Sequence, residues 1–204
     1  MQQRVQYFCV CEGDQERRYL KHLASLLKGV TFTAVQGRPE KVLKTTVSYD
    51  RVIFFDHDGQ DGEFRKAFEI CANEEKRWNS NSKKQDFIHC YPAYSNLNFD
   101  LWLILHSEDF TKAVTDNKAY QKDVRRIFEL HRDADIKSEA SMNKILSRIT
   151  LMDVKNAIRR AEAIRGKKVH GDEKRLSGHI CYDNPDFSIH EFLKTVFEEC
   201  GESL

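Results

Sequence analysis

Val5-Gln6-Tyr7-Phe8-Cys9-Val10-Cys11-Glu12-Gly13 and Val52-Ile53-Phe54-Phe55-Asp56-His57-Asp58-Gly59 decide how this chain folds. In each stretch a mostly apolar run of strand length stops at acidic residues. If both runs are parallel strands of one sheet, Glu12, Asp56 and Asp58 meet at its carboxyl edge, where open α/β sheets place their ligands. Asp56 and Asp58 are i and i+2 at an extended strand end and point to the same side. Carboxylates brought together this way repel one another unless a cation sits among them. Mg²⁺ suits such a site, because it takes hard oxygen ligands from a few carboxylates, water and substrate phosphate. The implied chemistry is phosphodiester work on nucleic acid.

Around these stretches the first ~92 residues alternate between strand and helix patterns, as βα units do. Arg4–Val10 reads as a first strand. In Asp14–Leu27, Tyr19, Leu20, Leu23, Leu26 and Leu27 recur at helical spacing, and Gly29 follows its end. Val30–Val35 is a second strand, Pro39–Val47 a short helix and Arg51–Phe55 a third strand. Gly62–Asn79 is an amphipathic helix, Asn79–Ser82 a turn and Phe87–Cys90 a fourth strand. After Tyr91-Pro92 the pattern turns helical: Leu97–His106, then only helical periodicity from Ala119 to Arg165. Residues 171–187 read as a polar loop and Ser188–Cys200 as a last helix. The expected architecture is a parallel four-stranded sheet flanked by helices, residues 1–110, with a helical C-terminal region, 111–204, packed on it.

Composition narrows the class. Charged residues make up 32% of the 204, and no apolar run is long enough to span a bilayer. The start lacks a signal-peptide pattern, so a cytoplasmic protein is expected. The six cysteines form no CxxC pair and read as buried, reduced thiols. Net charge is only +1, but it is unevenly spread. Residues 119–175 hold 15 Lys+Arg against 9 Asp+Glu, whereas residues 176–204 hold 1 against 6. A basic segment is the footprint of phosphate contacts, and it is also what an ordinary solvated helix surface looks like. Lys155, Arg159, Arg160, Lys167 and Lys168 are the candidate nucleic-acid contacts, with Arg125, Arg126, Arg132 and Arg165 nearby in sequence. Aromatic residues for base stacking are sparse here, which favours charge-led binding.

Each candidate has a plainer reading. Glu12 could serve the helix dipole alone, while Gly13 lets the chain turn sharply and leaves room for a ligand. Glu16, one turn after Glu12, is a further acidic contributor or a surface glutamate. Ser95 suits an N-cap, and His106, at a helix C-terminus, would gain stability when charged.

The chain resembles the topoisomerase–primase (Toprim) superfamily through Glu-Gly after strand one and Asp-x-Asp after strand three. It is most similar to the RloB-like branch, on three blocks. These are Cys11-Glu12-Gly13-Asp14-Gln15-Glu16-Arg17-Arg18-Tyr19, Asp56-His57-Asp58, and Ser95-Asn96-Leu97-Asn98-Phe99-Asp100-Leu101-Trp102-Leu103-Ile104-Leu105-His106. An Ala157–Ala161 helix and Asn184-Pro185 complete the match. Gln15 stands where that branch has threonine, Leu97 where it has proline, and Asp100 where it has glutamate.

The resemblance implies a Toprim-like α/β fold and a nuclease using Mg²⁺ or Mn²⁺ on DNA or RNA, tRNA included, in bacterial anti-phage defence. Glu12 would act on a proton, and Asp56 and Asp58 would hold the metal, with Glu16 among the catalytic set. Ser95, Asn96, Asp100 and His106 would flank the cleft as accessory residues. An ATPase partner of AAA or ABC type and a homodimer are compatible with it. Two other readings stay open: a subunit silent until a partner releases it, and a phosphate-ligand sensor. The missing Gly-rich loop counts against the last as a nucleotide site.

Overall fold

The computed structural model describes residues 5–44, 47–57, 61–80, 87–112, 114, 116, 118–168 and 171–204. Along them run β1 (Val5–Cys11), α1 (Asp14–Leu26), β2 (Val30–Gln36), α2 (Pro39–Val42), β3 (Asp50–Asp56) and α3 (Asp61–Asn79). There follow β4 (Cys90–Asn96), α4 (Phe99–Leu105), α5 (Ala119–Ile127), α6 (Glu139–Leu146) and α7 (Leu151–Gly166). The chain ends with β5 (Lys174–Leu176), β6 (His179–Cys181), β7 (Asp186–Phe187) and α8 (Ile189–Glu199).

The main sheet has the order β2-β1-β3-β4-β7. Its first four strands are parallel, and β7 is antiparallel to β4. Strands buried on both faces explain why the central ones read as continuous apolar runs. On β1, Tyr7, Cys9 and Cys11 join the core shared with α1, α4, α7 and α8. Phe8 and Val10 join the other, smaller core, with Phe64 and Phe68 of α3. The larger core draws residues from both halves of the sequence, from Tyr7 to Phe197.

The sheet therefore differs from the expected one. It has five strands in mixed order, and the segment read as a polar loop carries three short strands. Two or three residues are too few to show a period of two. β5 and β6 form a separate hairpin, with Leu176 opposite His179. Its two-residue turn, Ser177-Gly178, has positive φ at both positions (47° and 88°). That is the type I′ geometry whose twist matches a hairpin, and glycine adopts it without steric cost.

The fourth strand is Cys90–Asn96 and not Phe87–Cys90. Pro92 misleads the sequence reading, because proline removes a ladder donor. Here the Tyr94 N–H donates to Ser188 Oγ, and the Pro92 carbonyl accepts from the same hydroxyl at 2.5 Å. Pro92 thus presents its missing N–H to the β7 side of β4. There the ladder spans only Ser95 and Asn96, so no sheet bond is lost. α2 is a four-residue turn of helix, shorter than the Pro39–Val47 expectation. All six cysteines are free, and all but Cys200 are buried. Among the described residues no helix is long and apolar enough to cross a membrane.

One buried charge lies in the sheet itself. Arg51 of β3 is fully buried, and its Nε donates to Glu74 of α3 at 2.8 Å. Glu74 also accepts from Trp78 Nε1 (2.8 Å) and Arg77 (2.7 Å), and the Arg51 guanidinium lies 4.1 Å from the Trp78 ring centre. The Tyr49 carbonyl accepts from Nη1 and the Val47 carbonyl from Nη2.

Candidate functional site

Parallel pairing of β1 with β3, Tyr7 opposite Asp50 and Val10 opposite Ile53, brings the two acidic strand ends side by side. Glu12 Oε2 accepts a hydrogen bond from the Asp56 backbone N–H at 3.1 Å. With standard bond lengths an aspartate carboxylate reaches about 4 Å from its own nitrogen, so the two carboxyl groups lie within about 7 Å. Glu12 is exposed and Asp56 half-buried. Gly37 N–H donates to the Cys11 carbonyl (3.0 Å) and His57 N–H to the Ser95 carbonyl (3.3 Å), which ties the neighbouring strand ends to the same edge.

Both carboxylates open on a cleft of about 620 Å³ between the β2–α2 turn and α3. Arg38 and Lys66 stand on its walls, the latter 2.7 Å from Glu40. His57, between the two aspartates in sequence, also lines it; an isolated histidine carries no signal of its own in the sequence. The His57 Nε2 donates to Asp61 Oδ1 at 2.7 Å, its ring meets the Phe64 ring edge-on, and its Nδ1 is buried with no hydrogen-bond partner among the described residues. Asp58, expected as the third ligand, lies outside the described residues.

Glu16 sits behind Gly13 and not in the cleft. It is 5% exposed, and its Oε2 accepts from the Gly13 N–H at 3.0 Å. Burial raises its pKa to about 7, helped by the nearby Glu12 charge and opposed by the backbone N–H bonds it accepts. Gly13 itself is extended, with φ −121°, a conformation open to any residue. The sharp-turn expectation is therefore corrected: a Cβ here would come 3.0 Å from Glu16 Oε2, so a larger residue would push on the carboxylate that holds the Gly13 N–H.

The accessory set disperses. Ser95 is not the N-cap of α4; its hydroxyl donates to the Asn98 carbonyl at 2.8 Å. The cap is Asn98, whose side chain accepts from Asp100 N–H. Asp100 is buried, and its Oδ1 accepts from Gln15 Nε2 at 3.2 Å. Gln15 of α1 and Asp100 of α4 thus face each other. Asn96 donates to the Tyr182 carbonyl at 3.4 Å, near His57.

His106 is a core residue. Its Nδ1–H donates to the Trp102 carbonyl (2.9 Å), which leaves Nε2 to accept from the Tyr19 hydroxyl (3.0 Å). Full burial pulls its pKa down to about 4, so the expected stabilising charge at the helix end is absent at neutral pH.

The depressed value gives a pH dependence. Between an unfolded pKa of ~6.5 and the folded one, the unfolded chain binds the extra proton, so stability rises with pH and falls on acidification. His106 alone should cost about 3 kcal/mol as pH drops through that window. Urea melts across pH 7.5 to 4.5 check this, and the His106→Gln variant should lose this part of the slope. An identical slope in both proteins would contradict the assignment.

The basic candidates divide between two places. Lys155 donates to the Ser203 carbonyl at 2.5 Å and lies 3.4 Å from Glu202, just past α8. The α8 residue Glu199 meets the Tyr7 hydroxyl, toward the amino-terminal edge of the sheet and away from Glu12. Arg160 is held by the Leu105 carbonyl (2.7 Å) and Asp109 (3.0 Å), and Arg159 by Asn156 (3.4 Å). Lys168, by contrast, donates to the Asp183 carbonyl at 2.6 Å, and Asp183 lines a second cavity that shares His57 with the cleft. Lys167, next to it, is exposed.

The residues present suit Mg²⁺ better than a multi-ligand transition metal. Two adjacent carboxylates at a solvent-open lip match the usual one or two carboxylates plus waters and phosphate. Among the described residues no group of three or more His, Cys, Asp or Glu is placed to hold a metal ion.

The model of a family described as RloB-like protein matches residues 7–195. No curated protein and no solved structure matches the chain.

Proposed function

The chain belongs to the RloB-like family, and from that premise we propose that it is a metal-dependent nuclease hydrolysing phosphodiester bonds of DNA or RNA, tRNA among them, in bacterial anti-phage defence. The observation that carries the reading is the Glu12 carboxylate bonded to the Asp56 amide at the mouth of the cleft. Glu12 and Asp56, with Asp58, would hold Mg²⁺ or Mn²⁺. When bound, such an ion polarises a phosphoryl oxygen and makes coordinated water more acidic.

The chain's own groups do the rest. The Asp56 N–H fixes one oxygen of Glu12 and leaves the other oriented to the cleft, where it can take a proton from an attacking water. Glu16 holds the Gly13 N–H and so sets the direction in which Glu12 leaves the strand; it acts as a positioning residue. Arg38 and Lys66 supply positive charge where phosphate would lie. Anti-phage action follows from the family resemblance alone.

The test is incubation of the purified chain with plasmid, single-stranded DNA and tRNA, with Mg²⁺ or Mn²⁺ and with chelator. Cleavage of one of these polymers only when metal is present is expected. Full cleavage in chelator, or none with either metal, would contradict the reading.

A further inference from the structure

Glu12, Glu40, Asp56 and Glu63 line the cleft against only Arg38 and Lys66, the latter paired with Glu40, so the cleft is net acidic and a further surface must help hold a polyanion. The helix α7 surface, expected from sequence, is a poor candidate: Lys155 and Arg160 are turned onto carbonyls and carboxylates of their own chain.

We infer that the β5–β6 hairpin, together with Arg65 of α3, is the surface that grips the phosphate backbone beside the acidic cleft. The inference rests on the nuclease reading. The cavity it concerns, about 250 Å³, is lined by Arg65, Lys174, Arg175, Asn96 and Tyr182, and it meets the catalytic cleft at His57. A strand leaving Glu12 and Asp56 therefore passes His57 and arrives among Arg65, Lys174 and Arg175, with the two carboxylates of the same cavity already engaged, Asp61 by His57 and Asp183 by Lys174.

The hairpin is built to hold those cations still. Leu176 and Cys181 are buried in the smaller core, and His179 lies against the Phe68 ring at 5.3 Å. Just beyond β6, Tyr182 N–H donates to the buried Asp186 carboxylate at 2.7 Å. Asp186 also accepts from the Tyr94 hydroxyl and sits 3.3 Å from Arg165 Nε. Asn96, at the end of β4, donates to the Tyr182 carbonyl. The basic side chains thus stand on an anchored frame and not on a free loop.

The present partner of Lys174 is exchangeable. Lys174 pairs with Asp183 at 2.7 Å and Arg175 with Glu173 at 3.0 Å, and both basic groups are more than half exposed. The Lys174–Asp183 pair is exposed on both sides and contributes little, so phosphate oxygens can replace Asp183; Glu173 is the more buried partner of Arg175, whose own guanidinium remains open to solvent. Arg65 is exposed and forms no ion pair among the described residues. Lys168, on the Asp183 carbonyl, adds charge at the same rim. The attraction is to the backbone charge that every sequence shares.

The experiment measures binding of fluorescein-labelled single-stranded DNA and RNA oligonucleotides of matched sequence, in chelator to stop cleavage, at several salt concentrations. Three proteins are compared: wild type, the hairpin triple variant (Arg65→Gln, Lys174→Gln, Arg175→Gln) and the α7 triple variant (Lys155→Gln, Arg159→Gln, Arg160→Gln). Melting curves confirm folding. The hairpin variant should bind at least ~10-fold more weakly, with a slope of log K against log salt shallower by about two if all three residues touch phosphates. The α7 variant should keep the wild-type slope. A hairpin variant with the wild-type slope overturns the inference and leaves the nuclease reading standing. A wild-type protein that binds neither oligonucleotide overturns both.

Discussion

Asp56→Ala and Glu12→Ala should each cut the cleavage rate by a factor of at least ~10², the lower end for loss of a positioned acid–base group. Both should do so without unfolding the chain. Glu12 is exposed and Asp56 half-buried, and neither side chain belongs to a hydrophobic core cluster. Removing one of two adjacent carboxylates relieves repulsion, and the lost bond to the Asp56 N–H is at a solvent-open lip. Melting temperatures within a few degrees of wild type are therefore expected alongside the lost activity. Cleavage rates and melting curves on the same preparations check this. Two variants that cleave at wild-type rates would remove the catalytic assignment.

Glu74→Ala should be the opposite case, a large loss of stability. Glu74 is the carboxylate that balances Arg51 inside the sheet–helix interface, and it accepts from Arg51, Arg77 and Trp78. Truncating it leaves a fully buried guanidinium with two carbonyls and the Trp78 ring but no counter-charge, and removing one partner of a buried pair costs about 3–5 kcal/mol. Replacing both, as Arg51→Met with Glu74→Leu, should recover most of that loss, because apolar side chains of similar size need no compensating charge. Urea unfolding of the single and double variants checks both expectations. A single variant within about 1 kcal/mol of wild type would mean that the guanidinium finds water or another acceptor.

Much of the site was legible because its signals are local. A strand-length apolar run ending in Glu-Gly, and a second ending in Asp-His-Asp, need only parallel pairing to bring Glu12 beside Asp56. The α1 and α3 faces were equally plain from Tyr19, Leu20, Leu23, Phe64 and Phe68 at helical spacing.

What stayed hidden depended on contacts between distant segments. Nothing near Pro92 says that its missing N–H would face a side of β4 where the neighbouring strand has not yet begun. The pair Asp186-Phe187 is too short to announce a strand, and it pairs only because Asn96 and Ser95 stand opposite. His106 looked available for charge because its partner Tyr19 lies 87 positions away. The basic residues of α7 were counted as surface charge, yet the carbonyls of Leu105 and Ser203 that occupy two of them come from elsewhere in the chain.

The most direct test of the central claim is metal add-back. Wild type and Asp56→Ala are stripped with chelator, dialysed and assayed on the same nucleic acid as Mn²⁺ is titrated in. The account predicts that wild-type cleavage returns with the metal and saturates, while Asp56→Ala stays at background over the same range. Cleavage that returns equally in both proteins, or that never depended on the metal, would contradict it.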